Sequence, residues 1–174
     1  YVLYKNIDSA AYPYALNCNG EKTEYYLPDG RLGRVVSREG FEITLSHDES
    51  VIMIFDTLTN KSVYLEKNSA GKITRVYDDA ARQSVLTYTN GCLTEIRDVN
   101  GNELTFEYDS VGRVVRGTDA NEICYFENTY DDYGRVATQK DAGGAHVTKF
   151  TYADAERTIT NRNGDTSTRV YNEN

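Results

Sequence analysis

Tyr108-Asp109-Ser110-Val111-Gly112-Arg113-Val114 is followed, twenty-two residues on, by Tyr130-Asp131-Asp132-Tyr133-Gly134-Arg135-Val136. Five of the seven positions are identical. The pattern has a direct physical reading. Asp or Asn at the first turn position bonds backbone N–H groups two residues on, and Gly at the fourth tolerates φ > 0. A three-residue hairpin loop of this kind joins a type I turn to a left-handed residue and forms a G1 bulge. Asp109–Gly112 and Asp131–Gly134 therefore reverse an extended chain.

The pattern continues outward from these two turns. Gly71, Gly91, Gly112 and Gly134 are 20, 21 and 22 residues apart, and seven residues after each stands an aspartate: Asp78, Asp98, Asp119 and Asp141. Tyr88, Tyr108, Tyr130 and Tyr152 precede the turns. The opposite hairpin ends obey the same rule, at Asp98-Val99-Asn100-Gly101, Asp141-Ala142-Gly143-Gly144 and Asn161-Arg162-Asn163-Gly164. Asn68–Gly71 fits as well. Asn90-Gly91 is one residue shorter and reads as a two-residue type I′ turn. Glu156 occupies a glycine position, where φ > 0 would cost about 1 kcal/mol, so that turn is expected to take another form.

Between turns lie Arg113–Asp119, Ile123–Tyr130, Arg135–Asp141 and Ala145–Tyr152, rich in Val, Ile, Thr, Tyr and Phe as strands should be. In the first half, Pro28-Asp29-Gly30 is a turn signal and Phe41–Leu45 alternates. Val51–Phe55 is five apolar residues in a row, the expected strongest core strand. Asp78–Leu86 tolerates a helix but fits a hairpin equally well. The expected fold is all-β: an antiparallel meander of short hairpins from tandem units of 20–22 residues, forming a curled, ribbon-like sheet. The alternative is a β-propeller, whose blades need about 40–45 residues, two of these units. Residues 1–50 read as irregular β units leading into a regular array over 51–174. The chain is long enough for one domain with a core. It starts at Tyr1 and reads as a piece of a longer protein.

Composition narrows the function. Net charge is −8 and the charges are interspersed, which disfavours nucleic acid and anionic membranes. No apolar run reaches the length of a membrane span. Fifteen Tyr, five Phe and no Trp suit half-buried sheet faces. Cys18, Cys92 and Cys124 form no CxxC pair, which leaves a zinc ribbon unsupported and one disulfide open. His47 and His146 are the only histidines, too few for a His-based zinc site. Either one would have to serve any Ser/His/Asp triad; for His146, in an expected strand after the Gly143-Gly144 turn, the plainer reading is an exposed or half-buried strand histidine. Asp78-Asp79 and Asp131-Asp132 resemble catalytic pairs, and Asp98–Asn102 the start of a calcium loop, but all stand at turns where Asp belongs. Arg34, Arg113, Arg135 and Arg157 recur after turns; they are expected to lie across tyrosines or bond turn aspartates, the plain alternative being solvated charge.

The units Tyr108-Asp109-x-x-Gly112-Arg113 and Tyr130-Asp131-x-x-Gly134-Arg135 resemble the YD repeat of Rhs proteins. That family includes bacterial polymorphic toxins, wall-associated proteins, Tc toxin shell subunits and teneurins. The resemblance covers about residues 50–174 and weakens at Tyr88-Thr89, Tyr152-Ala153 and Glu156. It implies a β-sheet ribbon spiralling into a hollow shell that, in bacterial members, encloses a variable C-terminal effector. The expected role is then a non-catalytic scaffold without cofactor or metal, secreted or at a bacterial cell surface. Its partners would be the remaining repeats and a C-terminal domain. The alternative is a cell-surface module binding carbohydrate or protein through its tyrosine-rich face.

Overall fold

The computed structural model describes residues 1–5, 9–141 and 146–170. Among them every regular element is a strand, and no helix is long and apolar enough to cross a membrane. The chain divides into two units, Tyr1–Val85 and Leu86–Asn174.

The first unit holds β1 (Val2–Lys5), β2 (Tyr14–Cys18), β3 (Lys22–Tyr26), β4 (Leu32–Ser37), β5 (Glu42–His47), β6 (Val51–Asp56), β7 (Lys61–Lys67), β8 (Ile73–Asp78) and the start of β9 (Gln83–Thr89). Each strand pairs antiparallel with the next in sequence. The second unit runs from the end of β9 through β10 (Cys92–Arg97), β11 (Glu103–Tyr108), β12 (Val114–Asp119), β13 (Cys124–Tyr130), β14 (Val136–Asp141), β15 (Val147–Ala153), β16 (Glu156–Thr160) and β17 (Thr166–Val170). The same nearest-neighbour pairing holds there. A propeller would interrupt the ladder at every blade. Within each unit the ladder runs on uninterrupted, which decides for the meander.

The turns have the expected chemistry. Asp109 N donates to Arg113 O at 2.9 Å and Gly112 N donates to Asp109 O at 3.1 Å; Asp131 with Arg135 and Gly134 repeats this at 2.8 and 2.9 Å. Asp109 Oδ1 also accepts from the N–H of Val111 and of Arg113, and Asp131 Oδ1 from those of Tyr133 and Arg135. Gly112 and Gly134 sit at φ 86° and 79°. Asn90-Gly91 is left-handed at both residues, as a type I′ turn requires. Ala153 pairs with Glu156 across a two-residue link, so Glu156 avoids the left-handed region. Asp78–Leu86 is part of a hairpin, not a helix. Ala142, Gly143, Gly144 and Ala145 lie outside the described residues.

At two turns of the same Asp-x-x-Gly length the glycine is replaced. Ala81 and Glu122 occupy the left-handed position at φ 60° and 61°, held by the Asp78 and Asp119 carboxylates. A Cβ there is disfavoured by about 1 kcal/mol. Ala81→Gly and Glu122→Gly are each expected to raise stability by about 0.5–1 kcal/mol, since glycine's greater unfolded-state freedom offsets part of the relief. Urea unfolding midpoints check this.

The expected core is corrected. Every residue of β6 is only half-buried, and among the described hydrophobic residues only Ala15 and Cys18 are buried. A core needs two layers pressed together. Here side chains are shielded chiefly by neighbours in their own sheet, so burial stops partway even for Val51–Phe55. Two glycines let aromatic rings approach the backbone closely. A Cβ on Gly117 would lie 2.5 Å from the Phe126 ring, and one on Gly33 2.7 Å from Tyr12. Both glycines are floors on which aromatic rings rest.

Candidate functional site

The repeated residues converge on seams between successive hairpins. At the Gly112 and Gly134 turns the ladder shifts, so Tyr108 faces Val114 and Tyr130 faces Val136, with a bulge just before each tyrosine. A bulge re-aims the side chain beside it. Tyr108 and Tyr130 carry such a bulge, whereas Tyr152 pairs in regular register; all three phenols turn back along the sheet. Tyr108 OH donates to Leu93 O at 2.7 Å, Tyr130 OH to Val114 O at 2.6 Å and Tyr152 OH to Val136 O at 2.8 Å. The accepting carbonyl always belongs to the second residue after a left-handed glycine: Gly91, Gly112 or Gly134. Burial pushes the Tyr108 phenol above its ordinary pKa of 10.0, aided by nearby Cys92 and Tyr88. It therefore stays a donor.

Arg113 and Arg135 occupy the same seams. The Arg113 Nε donates to Asp109 Oδ2 at 2.6 Å while its guanidinium lies 4.5 Å from the Tyr130 ring centre. Arg135 repeats this with Asp131 at 2.8 Å and Tyr152 at 4.2 Å, and also covers Tyr133 at 4.9 Å. Each arginine thus links its own turn to the tyrosine of the following unit. Arg34 lies over Tyr25 at 5.2 Å but bonds Glu42 rather than a turn aspartate. Arg157 Nε is buried without a partner; the structure gives no account of it.

The first unit builds a similar seam from other residues, which sequence reading missed. His47 Nε2 lies 2.7 Å from Leu32 O, two residues past Gly30. A carbonyl only accepts, so His47 donates, in the place of the tyrosine hydroxyl. The signal was present: His47-Asp48 stands where Tyr-Asp stands later. Lys67 Nζ similarly donates to Asp48 O at 3.0 Å from a strand end marked by a bulge.

The turn carboxylates are acidified by their own turns. The Arg113 backbone N–H, then its guanidinium and the Val111 N–H, hold Asp109 below its ordinary 3.8 against a desolvation push upward. For Asp131, desolvation pushing up is the largest single influence, but the Arg135 N–H, its guanidinium and the Tyr133 N–H together outweigh it. The Asp78 pKa falls chiefly through the Arg82 side chain, and that of Asp98 through the Asn102 side chain. Depressed folded-state values stabilise above the unfolded pKa and are lost as pH falls through the folded one. The melting temperature is therefore expected to hold from neutral pH down to about 4 and to fall below that. A thermal melt series from pH 7 to 2.5 reads this out; a flat curve across the acid range would refute it.

The residues singled out for chemistry do not assemble. His146 N donates to Asp141 Oδ1 at 3.1 Å, and its ring contacts Arg162. Asp78 bonds Arg82, whereas Asp79 accepts from Ser62 N and Tyr64 OH. No group of three or more metal-ligating side chains gathers among the described residues. Cys18, Cys92 and Cys124 are unbridged. On the face opposite Phe106 and Phe126, Glu107, Arg116, Glu127 and Lys140 stand directly across from one another in turn. Charges alternate along that row, with Lys140 3.1 Å from Glu127.

Comparison with known proteins gives one family match and a set of structural matches. The model of the family described as Teneurin YD-shell matches residues 7–174. The crystal structure of TcdB2-TccC3 without its hypervariable C-terminal region superposes with a TM-score of 0.56, at 15% identity over 86% of this chain and 9% of that one. The structure of TcdB2-TccC3-TEV gives 0.53 at 15% identity, over 86% and 9%. At that identity the likeness is one of fold, and the chain spans under a tenth of those proteins. No curated protein matches.

Proposed function

This chain belongs to the Teneurin YD-shell family and is a structural shell segment; from that premise we propose that it forms wall in a larger shell enclosing a polypeptide effector encoded beyond it. The observation that supports this reading is the unbroken nearest-neighbour ladder with a repeated seam. Strands that pair only with their sequence neighbours make a wall of any length, and the seam fixes each hairpin to the one before. In this reading Tyr108, Asp109, Gly112 and Arg113, and likewise Tyr130, Asp131, Gly134 and Arg135, are structural residues. Residues 1–50 lead into the array and 51–174 are the array itself. The role calls for no catalytic group or cofactor. Its partners are the other repeats and the enclosed domain, and its setting is outside the cell, secreted or displayed on a bacterial surface.

Limited proteolysis of the longer polypeptide tests the enclosure. The segment after the array is expected to resist protease while the array is intact. It should be digested once residues 86–174 are deleted. Equal digestion of the intact and deleted forms would rule enclosure out.

A further inference from the structure

The seam at Tyr108 is built like those at Tyr130 and Tyr152 but lacks one part. All three hydroxyls bond the carbonyl of the second residue after a left-handed glycine. The residue directly after that glycine differs. Arg113 follows Gly112 and Arg135 follows Gly134, whereas Cys92 follows Gly91. Arg113 covers the Tyr130 ring and Arg135 the Tyr152 ring. A thiol has neither the length nor the charge to cover Tyr108 in that way. The substitution leaves space. A Cβ on Gly134 would lie 3.5 Å from Arg113 Nη1, whereas one on Gly112, the matching place in the Tyr108 seam, would meet nothing within 4 Å. A cavity of about 430 Å3 opens there, with Asn90, Cys92, Phe106, Tyr108, Asp109 and Gly112 among its walls. None of the described residues lining it is Arg or Lys.

We propose that this cavity is a guanidinium slot, which takes an arginine side chain from another polypeptide segment. The molecule itself supplies the template: in the two seams that follow, the same position holds a guanidinium against the tyrosine ring. The walls suit a cation. Two aromatic rings stand beside the Asp109 carboxylate, on a chain whose net charge is −8. Asp109 Oδ2 already accepts from Arg113 Nε, so its charge attracts the newcomer as a shared rather than a private partner. Arginine fits better than lysine, because a planar guanidinium lies flat on a ring while its edge donates hydrogen bonds. The polypeptide source follows from the rim of the slot. Asn90 and Ser110 are exposed there, at the tips of two turns, and offer hydrogen bonds to the amides on either side of an arginine. The slot rests on the seam geometry and does not depend on the shell enclosing anything.

The probe is the capped peptide acetyl-glycyl-arginyl-glycinamide, titrated into the isotope-labelled full chain at constant ionic strength while amide chemical shifts are followed. One stacked and charge-attracted side chain implies a dissociation constant on the order of 1 mM. The amides of Cys92, Tyr108 and Gly112 should move together along one binding curve. The citrulline peptide, alike in shape but uncharged, should bind at least about five-fold more weakly. Free arginine, which brings a carboxylate towards Asp109 and lacks the flanking amides, should also bind at least about five-fold more weakly. Cys92→Arg fills the slot from within and should weaken the peptide at least about ten-fold. Cys92→Ser keeps the slot open and should bind as the parent chain does. If Cys92→Arg fails to fold, the parent titrations and Cys92→Ser decide alone. No shift at those three amides up to about 20 mM peptide, equal binding of the citrulline peptide, or undiminished binding in a folded Cys92→Arg would each overturn the proposal. So would loss of binding in Cys92→Ser. Free arginine binding as tightly as the capped peptide would overturn the polypeptide source and assign the slot to a small molecule.

Discussion

Replacing Gly117 by valine is expected to lower stability by about 3 kcal/mol, among the largest effects of a single change in this chain. Gly117 sits on β12 opposite Phe126, and a Cβ there would fall 2.5 Å from one ring carbon and 3.0 Å from two more. On one side the ring meets Phe106, with centroids 6.5 Å apart. Valine adds two methyl groups beyond that first collision. Gly117→Ala should cost less, about 1–2 kcal/mol, since partial ring rotation can accommodate one carbon. If the collision is the cause, Phe126→Ala combined with Gly117→Val must show strong coupling: the double variant should be clearly more stable than the sum of the single losses predicts. Strict additivity in urea unfolding would place the effect elsewhere, for instance in the unfolded chain.

Tyr130→Ala should cost about 2–3 kcal/mol, and Tyr130→Phe about 1 kcal/mol. The smaller number is the phenol bond to the Val114 carbonyl. The larger adds the half-buried ring and the surface it gives the Arg113 guanidinium. Arg113→Ala on a Tyr130→Ala background should show coupling near 0.5 kcal/mol, at the low end for a cation over a ring because the guanidinium is partly solvated. Hydrogen exchange gives a sharper view. In Tyr130→Phe, amides of β12 and β13 should lose protection while those of β16 and β17 keep theirs. Uniform loss across the second unit would contradict a local seam.

Much of this architecture was legible beforehand, because turn chemistry is local. Asp or Asn followed three residues later by Gly needs no tertiary context to act, and Asp109–Gly112 and Asp131–Gly134 could be placed from spacing alone. The Gly91 turn was legible for the same reason. What escaped depends on register. That Tyr130 would reach the Val114 carbonyl cannot be seen until the pairing of β12, β13 and β14 is known. The role of His47 was hidden because its acceptor, Leu32 O, lies fifteen residues back. The turns at Ala81 and Glu122 were hidden because neither carries the expected glycine; their aspartates alone marked them. Val51–Phe55 misled in a different way. Five consecutive apolar residues ordinarily signal a strand buried on both faces, but apolar content says nothing about whether a second layer exists to cover it.

Nearest-neighbour pairing has a consequence for how such a chain can change over generations. Because a strand's partners are its immediate neighbours in sequence, inserting or deleting one whole hairpin leaves every other register untouched. Duplication of a twenty-two-residue stretch lengthens the molecule without any compensating substitution elsewhere. Contacts stay close along the sequence, so hairpins can dock onto those already formed as synthesis proceeds. Length in this architecture is thus a freely adjustable trait, whereas the spacing within each unit is not.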